Sequence, residues 1–404
     1  MTSPKPAHTA LYVLALCFAL SVLGRGLTES FTVFLLPISQ NFGWDRAEVL
    51  SIYSAAALIS GLSAPIVGRL FDHSGPRIVF ALGLALLGGA YLIAGTAQRL
   101  WQFQLCIGLC AGMGAACIGN VPNSILLGRW FGAKLSTAMA LVYSAMGAGV
   151  LLVLPLSQVL IDRFGWREAY AIFGIAVLVV LIPLLLLPWK RWSAGSPAVT
   201  RPVTADLVDE GWTLLSAIRH HAFWALFSTF FFTAVGMYSI SAQIVAYLVD
   251  AGFPPLQAAT AWGFSGVVML AGMLTVTWLD GVIGRRRSVL FSYAISILGI
   301  VLLRMLRVYP SPILLAGFVI CFGSMLGSRG PLITATAMKI FRGKRVGTIY
   351  GTISIGSGLG AALGSWSGGL IHDLTGSYDA VLLFSLASVI VGMVPFLSIK
   401  ALRE

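Results

Sequence analysis

The sequence predicts an all-α membrane protein, with twelve transmembrane helices arranged as two pseudo-symmetric six-helix bundles. Three observations predict it. The 404 residues are 58% hydrophobic and only 10% charged, where a soluble domain carries about 25% charged residues, so most of this surface faces lipid. Apolar runs of roughly 20 residues, enough to cross a bilayer, recur along the whole chain. The second half of the chain repeats the first in its glycines and charges.

Twelve runs qualify as spans, at approximately 10–38, 48–70, 77–97, 100–128, 135–161, 168–188, 222–249, 256–280, 288–308, 312–338, 346–371 and 380–399. Lys5 ahead of an apolar run from Ala10 has the form of a signal peptide. The apolar character resumes beyond Arg25 as far as Ile38, however, so the first run is retained as a span. Loop charge gives the orientation. Of the 26 Lys and Arg, eighteen fall in the loops of one side, among them Lys5, Arg69, Arg77, Arg129, Lys134, Arg201, Arg285, Arg286, Arg287, Lys339, Arg342, Lys344, Arg345, Lys400 and Arg403. Six fall on the other side (Arg46, Arg99, Arg163, Arg167, Arg304, Arg307), and two, Arg25 and Arg329, lie inside spans. The positive-inside rule then puts both termini in the cytoplasm, in a cell (inner) membrane. The net charge of +12 is a topology signal, and no solvated basic face exists to hold a nucleic acid. Trp101, Trp166 and Trp189 near span ends read as interfacial anchors. The five cysteines lie in apolar spans. Cys106 and Cys110 are one turn apart but have no His or carboxylate beside them, so they read as small packing residues, and neither a metal nor another cofactor is expected.

The polar stretch Trp189–His221, with Pro197, Pro202, Asp206, Asp209 and Glu210, reads as a linker between half-domains. The expected division is a first bundle over 1–190, a cytoplasmic linker over 191–219 and a second bundle over 220–404. A shift of 211 residues carries Gly132 onto Gly343, Lys134 onto Arg345, Gly147 onto Gly358, Gly149 onto Gly360, Asp162 onto Asp373 and Gly165 onto Gly376. A shift of 209 carries Gly43 onto Gly252, Gly75 onto Gly284 and Arg77 onto Arg286. Parallel repeats of this kind point to two bundles rocking about a shared midplane site. Gly356, Gly360, Gly364 and Gly368 recur every fourth residue, a stripe that reads as tight helix packing and, more sharply, as a sliding seam.

The loop after the second span reads Gly68-Arg-Leu-Phe-Asp72-His-Ser-Gly75-Pro-Arg77 and resembles the signature loop of the major facilitator superfamily. It departs from the family pattern at His73, where an arginine is usual. Asp72 is expected to N-cap the next helix. The loop after the eighth span, Asp280 to Arg287, is a degenerate copy. Phe42-Gly-Trp44 with Arg46, Arg129-Trp-Phe-Gly132, Gly165-Trp-Arg167, and Gly347-Thr-Ile-Tyr-Gly351 leading to Asp373–Tyr378 are similar to the bacterial monocarboxylate-transporter-like and oxalate/formate-antiporter-like branch. The resemblance implies the major facilitator fold and transport without an enzymatic step. It also implies a central cavity lined by spans one, four, seven and ten, and conformational gating by Gly68, Asp72, Gly75 and Arg77.

Ionisable residues in mid-span are expensive and mark function by default. Arg25 and Glu29 lie four apart on one face of the first span, where Ser21, Thr28 and Thr32 extend a polar stripe. Arg329 lies near the middle of the tenth span. Under the repeat these three fall on Ala234, Tyr238 and Ile118, so the scaffold is symmetric and the charges are not. The expectation is that Arg329 binds a substrate carboxylate with Arg25 as a second donor, since a guanidinium matches a carboxylate in a two-pronged geometry. Glu29 then couples transport to protons. A permanent structural Arg25–Glu29 pair is the competing reading. Further lining candidates are Asn120, Asn123 and Ser124, Tyr143 and Ser144, Tyr238 and Gln243, and Tyr350, Ser354 and Ser357. Each has hydrogen bonding between helices as its plainer role. Trp262 and Trp366 lie deeper, as packing residues or as platforms for a ring-bearing solute.

The function expected is secondary active transport of a small organic solute, a carboxylate anion, by alternating access with a proton as co-substrate. The protein acts in the lipid bilayer as a monomer. Efflux of a drug or metabolite and uptake of a larger vitamin-like or aromatic nutrient are the alternatives within transport. A solute sensor on the same fold is the alternative outside it. Gly263-Phe-Ser265-Gly266 resembles the nucleophile motif of an intramembrane protease. That chemistry needs a histidine base in the membrane, and His8, His73, His220, His221 and His372 all lie in loops or at span ends. No ATP-binding motif is present, so a gradient must supply the energy.

Overall fold

The computed structural model describes residues 6–131, 135–195, 212–341 and 346–399. Several residues used above lie outside the described residues. They are the loop cations Lys5, Lys134, Arg201, Arg342, Lys344, Arg345, Lys400 and Arg403, the linker residues Pro197, Pro202, Asp206, Asp209 and Glu210, and the paired Gly132 and Gly343.

Nine helices among the described residues are long and apolar enough to cross a membrane, and the predicted spans fall mostly on helix, with non-helical breaks inside those at 100–128, 222–249 and 312–338. The chain forms two compact units, Met1–Phe34 with Ala55–Val203, and Leu35–Ser54 with Thr204–Glu404.

The first unit holds most of α1 (Pro6–Phe42) and of α2 (Arg46–Ala94). Helix α2 carries two predicted spans, broken at Gly75, where φ is 78°. A side chain is strained there, and Pro76 restarts the helix with φ already set. The break therefore corrects one expectation. Asp72 stays inside the helix and is exposed, and it makes no capping bond among the described residues. Next come α3 (Leu100–Phe103), a π-helical segment over Gln104–Ala111, α4 (Gly112–Cys117), a turn at Ile118–Gly119 and α5 (Asn120–Phe131). The fourth span is thus an interrupted helix. Helices α6 (Leu135–Phe164), α7 (Trp166–Leu186) and the short α8 (Trp189–Ala194) complete the unit. Helix α8 is tied to the end of α5: Arg129 donates to the Ser193 carbonyl at 3.2 Å and Trp130 Nε1 to the Trp192 carbonyl at 2.8 Å.

Two of the expected interfacial tryptophans are interior. Trp166 packs edge-on against Tyr170, and Trp189 lies against Phe80 and Trp192. Only Trp101 of the three is exposed. Position near a span end does not distinguish an interfacial ring from one that plugs the end of a bundle.

The second unit contains α9 (Leu214–Ile218), α10 (His221–Ser241), α11 (Ile244–Asp250), α12 (Pro255–Ile283) and α13 (Arg285–Val308). It continues through α14 (Pro312–Phe318), a π-helical segment over Val319–Gly323, α15 (Gly330–Ile340), α16 (Val346–Thr375) and α17 (Tyr378–Ser398). The tenth span is interrupted between Leu326 and Arg329, with Gly327 at φ 78°.

The repeat holds at the level of the backbone. Shifted by 211, the π segment Gln104–Ala111 overlaps Val319–Gly323, and the turn Ile118–Gly119 falls on Arg329–Gly330. It also holds at the level of packing. A Cβ on Gly149 of α6 would collide with the Val22 carbonyl of α1, and one on Gly360 of α16 with the Phe231 carbonyl of α10. Gly149 and Gly360 are 211 apart and Val22 and Phe231 are 209 apart, so one close helix crossing is built twice. Along α16, Gly356, Gly364 and Gly368 meet Phe227, Val235 and Ser239 in the same way. The glycine stripe is a seam packed directly on a backbone.

Candidate functional site

In the first unit the polar stripe of α1 is assembled as its spacing demands. Arg25 Nη2 lies 2.7 Å from Glu29 Oε1, with 32% of the arginine side chain exposed and 9% of the glutamate. The arginine is half-buried and the carboxylate buried. Thr28 donates to the Gly24 carbonyl and Thr32 to that of Glu29, so both hydroxyls are satisfied within the helix. Asn123, fully buried at the start of α5, donates from Nδ2 to Ser21 Oγ at 2.9 Å and to the Ile118 carbonyl at 3.3 Å. It therefore fastens the interruption of the fourth span to the face of α1 that carries Arg25. Asn120 is exposed at the first turn of α5, Ser124 donates to the Val121 carbonyl, Tyr143 is half-buried and Ser144 donates to the Leu141 carbonyl. Of the loop residues, Asp72 and Arg77 are exposed, Gly68 stands 3.7 Å (by its missing Cβ) from Val121, and Gly75 forms the break.

In the second unit Arg329 is 3% exposed and turned onto α13. Its Nε donates to Ser292 Oγ at 2.9 Å, and its Nη2 donates to the Ser292 carbonyl at 2.7 Å and to Ser296 Oγ. Its guanidinium carbon stands 4.0 Å from the centre of the Tyr293 ring, a cation–π contact. No carboxylate among the described residues pairs with it, and Nη1 has no partner. Tyr238 lies near the Tyr53 ring at 6.4 Å. Gln243, buried at the α10–α11 break, donates to the Ser239 carbonyl and leaves its Oε1 unpartnered. Tyr350 accepts from Thr334 at 2.7 Å, and Ser354 donates to the Gly351 carbonyl. Trp262 is buried against Phe318 and Phe322, whereas Trp366 is 41% exposed.

Sequence reasoning missed two groups. One is the α13 set, although Ser288, Ser292 and Ser296 recur every fourth residue and could have been read as a polar stripe facing a buried partner. The other joins the α1–α2 turn to the rest of the second unit. Arg46 pairs with Asp250 at 2.6 Å and stands 5.1 Å from the Tyr378 ring. Asp373 accepts from the Ala47 amide at 2.6 Å, so a residue of α16 caps the first turn of α2. Ser54 and Ser365 share a hydrogen bond at 2.7 Å. Asp373 was singled out by the repeat, but its partner lies 326 residues away, beyond any local signal.

Duplicated bundles of apolar helices, interrupted in mid-span and carrying a few buried charges, define a multi-pass membrane protein that passes solutes by way of its helices. The family model of the Major Facilitator Superfamily matches residues 14–365, and the chain belongs to that superfamily. It is 25% identical over 413 residues to the uncharacterized MFS-type transporter YcxA of Bacillus subtilis, covering 100% of this chain and 98% of the relative. It is 26% identical to monocarboxylate transporter 13 of Bos taurus, over 93% of this chain and 85% of the relative. It is 24% identical to human monocarboxylate transporter 12, over 100% and 83%. The protein is a membrane transporter of a small-molecule solute and not an enzyme.

Proposed function

We propose that this chain carries a small organic carboxylate across the cell (inner) membrane together with a proton, by alternating access of two six-helix halves (1–190 and 220–404). It does so as a monomer with both termini cytoplasmic. The observation that carries this reading is the Arg25–Glu29 pair, a half-buried guanidinium 2.7 Å from a buried carboxylate in mid-span. The relatives named as monocarboxylate transporters support the same substrate class.

Charge balance gives the coupling. With no substrate, ionised Glu29 neutralises Arg25, and the site is neutral. A proton on Glu29 releases Arg25, which the substrate carboxylate then neutralises, and the site is neutral again. The substrate carboxylate and ionised Glu29 thus compete for Arg25, and in a low-dielectric span that competition favours carrying the proton and the anion together. Arg25, rather than Arg329, takes the carboxylate in this reading, because the donors of Arg329 are engaged by α13.

The test is uptake of a labelled organic-acid panel into proteoliposomes, with and without an imposed pH gradient. Uptake of at least one small monocarboxylate is expected, driven by an acidic exterior and indifferent to membrane potential. Indifference to every acid would sink the substrate class, and indifference to pH would sink the role of Glu29.

A further inference from the structure

The helix leading into the interruption of the tenth span is clasped on two sides. A Cβ on Gly272 of α12 would collide with the Ser324 carbonyl, and one on Gly299 of α13 would stand 2.8 Å from Phe322 N. Arg329 ties the turn itself to α13. Its bonds run to Ser292 and Ser296, and its guanidinium covers the Tyr293 ring. Tyr293 in turn donates to the Gly392 carbonyl of α17 at 2.9 Å and shares a 2.7 Å hydrogen bond with Thr233 of α10. One side chain thus links the broken turn to α13 directly, and to α10 and α17 through one ring.

The repeat supplies an internal control. The equivalent position in the fourth span is Ile118, 1% exposed, packed against Gly24 and Gly83. That interruption is held by an apolar residue and by the neutral amide of Asn123, so the interruption alone does not require a charge. Burying an ion costs more than burying a hydrocarbon of similar size, and no carboxylate among the described residues offsets this one. What the guanidinium adds over isoleucine is directed bonding to α13, and a cover over the Tyr293 ring whose own hydroxyl reaches α10 and α17.

We infer that Arg329 is a positioning residue for transport. It holds the broken turn of the tenth span in register with α10, α13 and α17, so that these helices move as one body, and it does not touch the substrate. The inference rests on the reading that Arg25 takes the carboxylate.

The test is pH-driven uptake of labelled lactate in proteoliposomes, scaled to folded protein by size-exclusion chromatography, for Arg329→Gln, Tyr293→Phe and Arg25→Gln. Arg329→Gln should lower the maximal rate at least tenfold and leave KM within about twofold. Tyr293→Phe keeps the ring under the guanidinium but loses the bonds to Thr233 and Gly392, and should lower the rate in the same direction. A tenfold rise in KM at unchanged maximal rate for Arg329→Gln would make it a ligand and overturn the inference, as would parental kinetics in Tyr293→Phe. If Arg25→Gln leaves KM unchanged, the carboxylate reading fails by itself. If the parental protein takes up no lactate, or Arg329→Gln does not fold, Cys321 on the π segment gives the answer in Tyr293→Phe and Ser296→Ala. With Cys17, Cys106, Cys110 and Cys117 replaced by serine, alkylation of Cys321 by N-ethylmaleimide should quicken severalfold in both. Unchanged rates in both would overturn the inference.

Discussion

Glu29→Gln is the perturbation that separates a working Arg25–Glu29 pair from a structural one. The substitution keeps the shape of the side chain and removes its charge, which imitates the protonated state permanently. The pair is intermediate in burial, with the arginine 32% and the glutamate 9% exposed. Exposed pairs contribute about 0–1 kcal/mol, and breaking a buried one costs about 3–5 kcal/mol, so about 2 kcal/mol is reasonable here. That energy opposes substrate binding whenever Glu29 is ionised, because a substrate carboxylate must displace it from Arg25. Removing the competition should tighten anion binding at pH 7.5 or above by roughly 30-fold, since about 1.4 kcal/mol is tenfold. Binding should also lose its dependence on pH. Net uptake should no longer respond to a pH gradient, while exchange of internal for external anion continues, because that half of the cycle keeps the site loaded and neutral. The assay is counterflow and gradient-driven uptake in the same proteoliposomes, with thermal unfolding in detergent as the check on folding. Parental gradient-driven accumulation in Glu29→Gln would refute the coupling argument. A collapse of exchange together with a lowered unfolding temperature would show the pair to be a structural one.

Other consequences follow from the packing and the loops. Gly360→Ala forces a methyl into the Phe231 carbonyl and should destabilise the protein by about 1–3 kcal/mol, whereas Gly351→Ala, on the same helix with open space beside it, should stabilise it by about 0.4–1 kcal/mol; thermal unfolding in detergent compares them. Arg46→Gln and Asp250→Asn each remove one end of a pair with 13% and 43% of the side chains exposed. Each should cost about 1 kcal/mol, and the double variant should cost less than their sum, which a double-mutant cycle on unfolding measures. His220 caps α10 by accepting from the Ala222 amide through Nδ1. Its pKa lies below the usual value, through burial first and neighbouring His221 second. The cap is therefore present above about pH 6.5 and is lost as the pH falls through the lowered folded-state pKa, when Nδ1 gains a proton and a positive charge appears at the helix N-terminus. Unfolding temperature should drop over that interval, by the equivalent of about 1 kcal/mol, and His220→Asn should keep a cap without the pH dependence.

The parts legible in the sequence were those with a period or a local spacing. One glycine pair that maps at 211 residues makes the same helix crossing in each unit, Gly149 on Val22 and Gly360 on Phe231. The i, i+4 spacing of Arg25 and Glu29 left them little choice but to meet. The π segments were not legible, because QLCIGLCA and VICFG are as apolar as any helix and carry no proline to announce a fault. The orientation of Arg329 was not legible either. Its partners on α13 lie 33 and 37 residues away, and a lone mid-span charge reads the same whether it faces a cavity or the inside of a bundle.

That difference matters for how a buried charge is interpreted. A mid-span arginine is expensive in either direction, so its cost alone cannot assign it to the substrate. Comparison within the molecule goes further. The scaffold is duplicated down to single glycine contacts, yet Arg25 faces Ala234 in the repeat, Glu29 faces Tyr238 and Arg329 faces Ile118. Were these charges needed to build a six-helix bundle, the other bundle would need them too. It is built without them, from Ala234 and Ile118, both buried. The three charges therefore answer to something the two units do not share. On the proposed reading, Arg25 and Glu29 answer to the transported solute and its proton, and Arg329 to the positioning of the broken turn. On the inference that Arg329 positions the broken turn, its partners Ser292, Ser296 and Tyr293 belong to the transport function as much as to the fold.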